Sequence, residues 1–287
     1  GAGITQVINR TVDFGATDAS VTPDRQAANH LMQFPTVIGA VVVSVNIPGV
    51  DGNSLKLTGA LIGDIYLGRV RMWNDRRIAA LNPGGTLPAL AIAPVYRADA
   101  SGTTSIFTNY LSAVNLAFGT TTGAGSSVSW RAGVGAPGNA GVAGAITNTR
   151  GAIGYVEYAY VAENHMQAVQ LQNRSGAWIR PTVESFAAAA AQAPWANSPN
   201  QDASMINTAG ATSWPIVAAT YVDVPTNPTD AGRAAKLFQF FDWAWKNGQS
   251  QVDALHYISL PAAVQNRARQ RWCAVQANGR PVFSGCH

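Results

Sequence analysis

The sequence predicts an α/β fold, and three observations carry that prediction. Apolar, β-branched runs alternate along the chain with segments of helical periodicity. Those runs are near-continuous, as expected of strands in a sheet covered on both faces. The 287 residues, 47% hydrophobic and only 12% charged, suffice for a large core in one large or two modest domains.

The elements follow in chain order. Residues 12–24, VDFGATDASVTPD, open on the alternation Val12, Phe14, Ala16 and read as a strand ending near Gly15 in a turn, with Thr17 and Asp18 exposed at its tip. Residues 37–47, VIGAVVVSVNI, form an almost unbroken apolar strand, and IAPVYR, 92–97, forms another that runs out at Arg97. In SIFTNYLSAV the residues Ile106, Tyr110 and Val114 share one helical stripe, with Phe107 and Leu111 beside it. The stretch 118–151 is dense in Gly, Ser, Thr, Ala and Asn and reads as a long loop with short elements. Strands are expected at 152–160 and 215–224, and an amphipathic helix at 234–248, closed by Gly248. Its aromatics Phe238, Phe241, Trp243 and Trp245 are assigned to the core. No internal repeat is visible.

The cysteines, Cys273 and Cys286, flank AVQANGRPVFSG, where Asn278-Gly279 is a hairpin signal that folds the flanks together. A disulfide is expected, as an oxidising compartment permits.

Several functions are disfavoured. The net charge of +4 comes from scattered single residues, without the basic run of a nucleic-acid footprint. No window approaches 18 uninterrupted apolar residues, and GAGITQVINR lacks the charged start and apolar middle of a signal peptide. The four histidines, His30, His165, His256 and His287, stand far apart, so no metal site is expected. There is no G-x-S-x-G elbow and no P-loop. GVGAPG, 133–138, matches G-x-G-x-x-G, but Pro137 and the short stretch before the next strand leave little room for a dinucleotide-binding helix. It is read as a chance match, and no cofactor is expected.

What the chain does offer is RADASGTTS, 97–105. A strand ends at Arg97 and a helix starts near Ser101, so the amides of Gly102, Thr103 and Thr104 are the orphan donors of a first turn. They lie at the positive end of the helix dipole, where an anion is favoured, and Gly102 permits close approach. Ser101 and Thr103 add hydroxyls, and Arg97 adds a planar fork suited to an oxyanion. Asp99, two residues from Arg97, is placed to orient the guanidinium. A helix cap with a surface ion pair would have the same spacing. Asp18 is either a second cap or a carboxylate that accepts a proton from a protonated oxyanion and repels a fully ionised one, which separates hydrogen phosphate from sulfate.

These stretches, with FPTVIGAVVVSVNIPGV, LTGALIGDIYLGRVRMWND, GAIGYVEYAY and FFDWAWKNG, resemble the periplasmic phosphate-binding protein of the high-affinity phosphate ABC transporter. The resemblance covers nearly the entire chain in order. It implies a two-lobed type II periplasmic binding protein, each lobe a sheet flanked by helices, joined by crossover strands at VVVSVN and AATYVD. Residues 1–45 and 218–287 would form lobe one and 46–217 lobe two. The implied role is capture of one inorganic phosphate between the lobes and its delivery to a membrane ABC permease, by a periplasmic monomer with no enzymatic activity. The implied phosphate contacts are Asp18, Arg97, Ser101, Gly102 and Thr103, with Asp99 in support. Family members also carry a strand and helix ahead of the residue matching Gly1, so this chain is expected to be part of a longer protein. The alternatives are a binding protein for another oxyanion, and a phosphatase-like or non-binding surface protein on the same scaffold.

Overall fold

The computed structural model describes residues 1–286, and His287 lies outside the described residues. The protein is α/β, with sheets flanked by helices. The chain forms two compact units. One comprises Gly1–Ile38, Pro194–Ser204 and Ala219–His287, and the other Gly39–Ala193 and Met205–Ala218. Two strands, Leu31–Asn46 and Ile216–Pro225, begin in one unit and end in the other.

In the first unit, Gly15–Thr17 pairs antiparallel with Ile216–Pro225, matching Gly15 with Asp223 and Thr17 with Tyr221. Gly15 and Thr17 face inward and Ala16 outward, the opposite phase to that expected from Val12, Phe14 and Ala16, and Thr17 is buried. The reason is the helix Ala2–Ile8 packed on this strand: a methyl group on Gly15 would lie 2.4 Å from the Gly3 carbonyl oxygen. Only the face without a side chain can approach so closely.

The core of this unit is built around Phe34, whose ring lies 5.3 Å from Phe241 and 5.1 Å from Trp272, both edge-on. Helix Ala231–Asn247 supplies Ala234, Phe238 and Phe241 to the interior at helical spacing. Trp245, a full turn beyond Phe241, stacks on Trp272 at 5.0 Å. Trp243 was expected in the core and is instead 58% exposed. Two residues past Phe241 is about 200° around a helix, which turns its side chain away.

The disulfide forms as expected between Cys273 and Cys286. The turn Asn278-Gly279, with φ of +53° and +73°, closes a hairpin of Gln276–Ala277 on Arg280–Pro281. Positive φ at both central residues is what a tight hairpin of this twist requires. Pro194–Ser204, expected with the middle of the chain, packs in this unit instead. Gln201 is fully buried and donates to the Val264 carbonyl at 2.7 Å, while the Trp195 carbonyl accepts from Arg267.

In the second unit the sheet runs from the latter part of Leu31–Asn46 through Ala152–Glu157 and Ala93–Arg97 to Val134–Ala136. The first pair is antiparallel and the other two are parallel. Helices Gly102–Val114 and Leu116–Thr121 lead from Ala93–Arg97 to Val134–Ala136, and Gly138–Asn148 leads on to Ala152–Glu157. Residues 118–151 are therefore not mainly loop. Helix Gly138–Asn148 buries Val142, Ala143 and Ile146, and its Gly- and Ala-rich composition hides that periodicity. Nor does the 152 strand continue to Tyr160. The Glu157 carboxylate accepts from the Ala159 amide and starts the helix Tyr158–Glu163.

Among the described residues no helix is long and apolar enough to cross a membrane. No group of three or more His, Cys, Asp or Glu among them is placed to hold a metal ion.

One buried carboxyl makes the first unit sensitive to pH. Asp223 is fully buried, accepts from Gln33 at 3.0 Å through Oδ1, and has no hydrogen-bond partner on Oδ2. Burial pushes its pKa up to about 7, partly offset by the Gln33 bond. A carboxyl that holds its proton more tightly when folded stabilises the fold below its unfolded pKa, near 4, and loses that stabilisation as pH rises to about 7. Asp223→Asn is expected to abolish this decline and to be the more stable protein at pH 8, by up to roughly 4 kcal/mol. Urea denaturation from pH 4 to pH 8 checks this, and parallel curves for the two proteins would refute it.

Candidate anion site

The site grows from the topology of the second unit. Three parallel strands, Ala93–Arg97, Val134–Ala136 and Ala152–Glu157, each lead at their C-terminal ends into a helix. In open α/β sheets this is the end where ligands bind, because helix N-termini gather there with unspent amide donors.

At the first strand end, Ser101 caps the helix Gly102–Val114, its Oγ accepting from the Thr104 amide at 3.3 Å. The Ser105 amide bonds the Ser101 carbonyl. The expected donor set of Gly102, Thr103 and Thr104 is thereby corrected: Thr104 is spent on the cap, and the amides of Gly102 and Thr103 remain without intrahelical partners. Ser101 and Thr103 are buried, and the Ser101 amide is fixed to the Ser126 carbonyl at 2.8 Å.

Arg97 and Asp99 pair two-pronged, Nε to Oδ1 at 2.9 Å and Nη2 to Oδ2 at 2.6 Å. The Arg97 side chain is only 11% exposed. One edge of the fork is consumed, and the Nη1 donors take no part in this pair. Asp99 Oδ1 also accepts from the Gly138 amide at 3.0 Å, at the start of helix Gly138–Asn148. The Arg97 bonds, with a further contribution from Gly138, hold this carboxyl well below the usual range against the opposing effect of burial. GVGAPG thus does open a helix, contrary to expectation, but the Asp99 carboxylate takes up the donor at its start.

Two residues not anticipated from the sequence brace the site. The Tyr155 hydroxyl accepts from the Arg97 amide at 3.2 Å and lies 2.6 Å from Thr104 Oγ1. Its ring stacks on Phe107 with centroids 4.2 Å apart, and burial pushes its pKa up to about 12. Asn139 donates to Thr103 Oγ1 at 3.5 Å and accepts from the Glu157 amide at 3.4 Å. A tyrosine inside an apolar strand and an asparagine near a helix start look structural, since their partners lie 58 and 36 residues away.

Asp18 belongs to the first unit, just beyond Gly15–Thr17, where its Oδ1 accepts from the Thr220 hydroxyl at 2.8 Å. Arg97, Asp99, Ser101, Gly102 and Thr103 all lie in the second unit, and the strand end and helix start bring them together.

A family model described as a PBP superfamily domain matches residues 1–246. The phosphate-binding protein PstS of Xylella fastidiosa (strain Temecula1) is 41% identical over 274 residues, covering 96% of this chain and 75% of that protein. The chain belongs to the PstS phosphate-binding proteins, within the PBP superfamily. PstS of Pasteurella multocida (strain Pm70) is also 41% identical, over 95% of this chain and 79% of its own length. A high-affinity periplasmic phosphate-binding protein solved with phosphate at pH 8.5 shares the fold. It aligns with a TM-score of 0.76 at 18% identity, over 98% of this chain and 88% of its own.

Tyr155 gives this PstS-family site a test independent of ligand. Tyr155→Phe leaves the half-buried Arg97 amide and the buried Thr104 hydroxyl short of a partner, and about 1–3 kcal/mol of stability should be lost. Chemical denaturation of the ligand-free protein reads this, and an unchanged midpoint would show that the hydroxyl is idle.

Proposed function

We propose that the chain is an extracytoplasmic solute-binding protein that captures inorganic phosphate and passes it to a membrane ABC permease. It acts as a monomer and catalyses no reaction. The observation that carries this reading is a paired arginine beside a helix start. Arg97 is oriented by Asp99 and has donors to spare, beside the unspent amides of Gly102 and Thr103 and the hydroxyls of Ser101 and Thr103. Such fixed donors suit a compact tetrahedral oxyanion, and Arg97 compensates its charge.

Asp18 supplies the selectivity. Its carboxylate accepts the proton that hydrogen phosphate and dihydrogen phosphate carry, and it repels sulfate, which has none to give. The relatives' names support phosphate as the ligand, and the periplasmic relative supports the compartment.

Calorimetric titration of the ligand-stripped chain with phosphate and then sulfate is expected to show binding with phosphate alone. A folded chain that takes up neither anion would refute the reading. Arg97→Ala should weaken phosphate by about two orders of magnitude or more, the loss of a charged pair of hydrogen bonds. Asp18→Asn should narrow the preference over sulfate, because an amide can donate to a fully ionised anion. An unchanged preference would remove Asp18 from the site.

A further inference from the structure

We propose that Asn139 is a positioning residue that fixes the Thr103 hydroxyl as a hydrogen-bond donor toward the anion. This rests on the phosphate reading of the site. A threonine hydroxyl has one proton and two lone pairs, so by itself it serves either as donor or as acceptor. An anion site needs the first, and a hydroxyl that rotates freely must be ordered when the ligand binds.

The geometry removes that freedom in two steps. The Glu157 backbone amide can only donate, and it lies 3.4 Å from Asn139 Oδ1. That contact turns the side-chain amide so that Nδ2, which can only donate, faces Thr103 Oγ1 at 3.5 Å. A lone pair of Oγ1 is then occupied, and its proton points elsewhere. Thr103 is 2% exposed and sits in the first turn beside the unspent amides, so the remaining direction is that of the ligand. Polarity thus passes from the end of the strand Ala152–Glu157, through the helix Gly138–Asn148, to the helix Gly102–Val114.

The neighbouring Thr104 is not polarised in this way. The Tyr155 oxygen accepts from the Arg97 amide at 3.2 Å, and the Tyr155 and Thr104 hydroxyls lie 2.6 Å apart, where either can donate. The Thr104 amide is already spent on the Ser101 cap, and its hydroxyl serves the fold.

The test reverses the polarity of a single bond. Asn139→Asp preserves an acceptor for the Glu157 amide but presents an acceptor to Thr103, whose proton then turns to the introduced carboxylate. Phosphate affinity, by calorimetry, should fall about tenfold or more. Asn139→Ala, which merely frees the hydroxyl, should cost about two- to threefold. Both changes are repeated in a Thr103→Val background, where no hydroxyl remains to orient. There the Asn139→Ala effect should vanish, and the Asn139→Asp effect should shrink to that of the added charge.

Equal losses with and without the Thr103 hydroxyl would assign the effect to charge and overturn the proposal, as would unchanged affinity in both variants. If Asn139→Asp does not fold, the Asn139→Ala pair decides alone: coupling to Thr103 supports the relay, and additivity overturns it. Failure of the unmodified chain to bind phosphate would be a failure of the functional reading itself, which separates the two claims.

Discussion

A guanidinium shielded from water must have its charge compensated without exhausting its donors. The Arg97–Asp99 pair meets both conditions, and the rest of the candidate anion site depends on it. Asp99 takes one edge of the fork and leaves the other free. Its oxygen also receives the Gly138 amide, so the carboxylate ties the strand end at Arg97 to the start of a second helix. Both contacts favour the charged form of Asp99, against burial, and hold its carboxyl well below the usual range.

The sheet makes that pairing possible. Parallel strands connected through helices bring several helix starts to the same end, where first-turn amides have no partners within their own helices. Ser101 spends one such amide on its cap and leaves two. Tyr155 and Asn139 reach in from other elements and hold the hydroxyl-bearing turn in place. The turn is thus held by the protein's own side chains from three different elements.

The first unit has a different economy. Its interior rests on aromatic edges and stacks around Phe34 and Trp272, closed by a disulfide hairpin. Within it Asp223 is buried with one oxygen unpartnered, a polar cost that the surrounding apolar packing offsets. That residue faces Gly15 across the pairing that ends just before Asp18.

Local chemistry was legible in the sequence. The capping serine, the two-residue spacing of Arg97 and Asp99, and the Asn-Gly turn with its flanking cysteines each act over a few residues, and each took the expected form. The long apolar strands announced themselves by composition. Tertiary structure decided the rest. Helix Gly138–Asn148 was hidden because small residues give a weak periodic signal, and Trp243 was misplaced because hydrophobicity does not reveal which side of a helix meets the core. The inward phase at Gly15 came from the approach of Gly3, and the packing of Pro194–Ser204 from bonds to Val264 and Arg267. Tyr155 and Asn139 joined the site through partners far away in the chain. A sequence displays what neighbours along the chain do to one another, whereas those contacts exist only once the sheet has brought distant strand ends together.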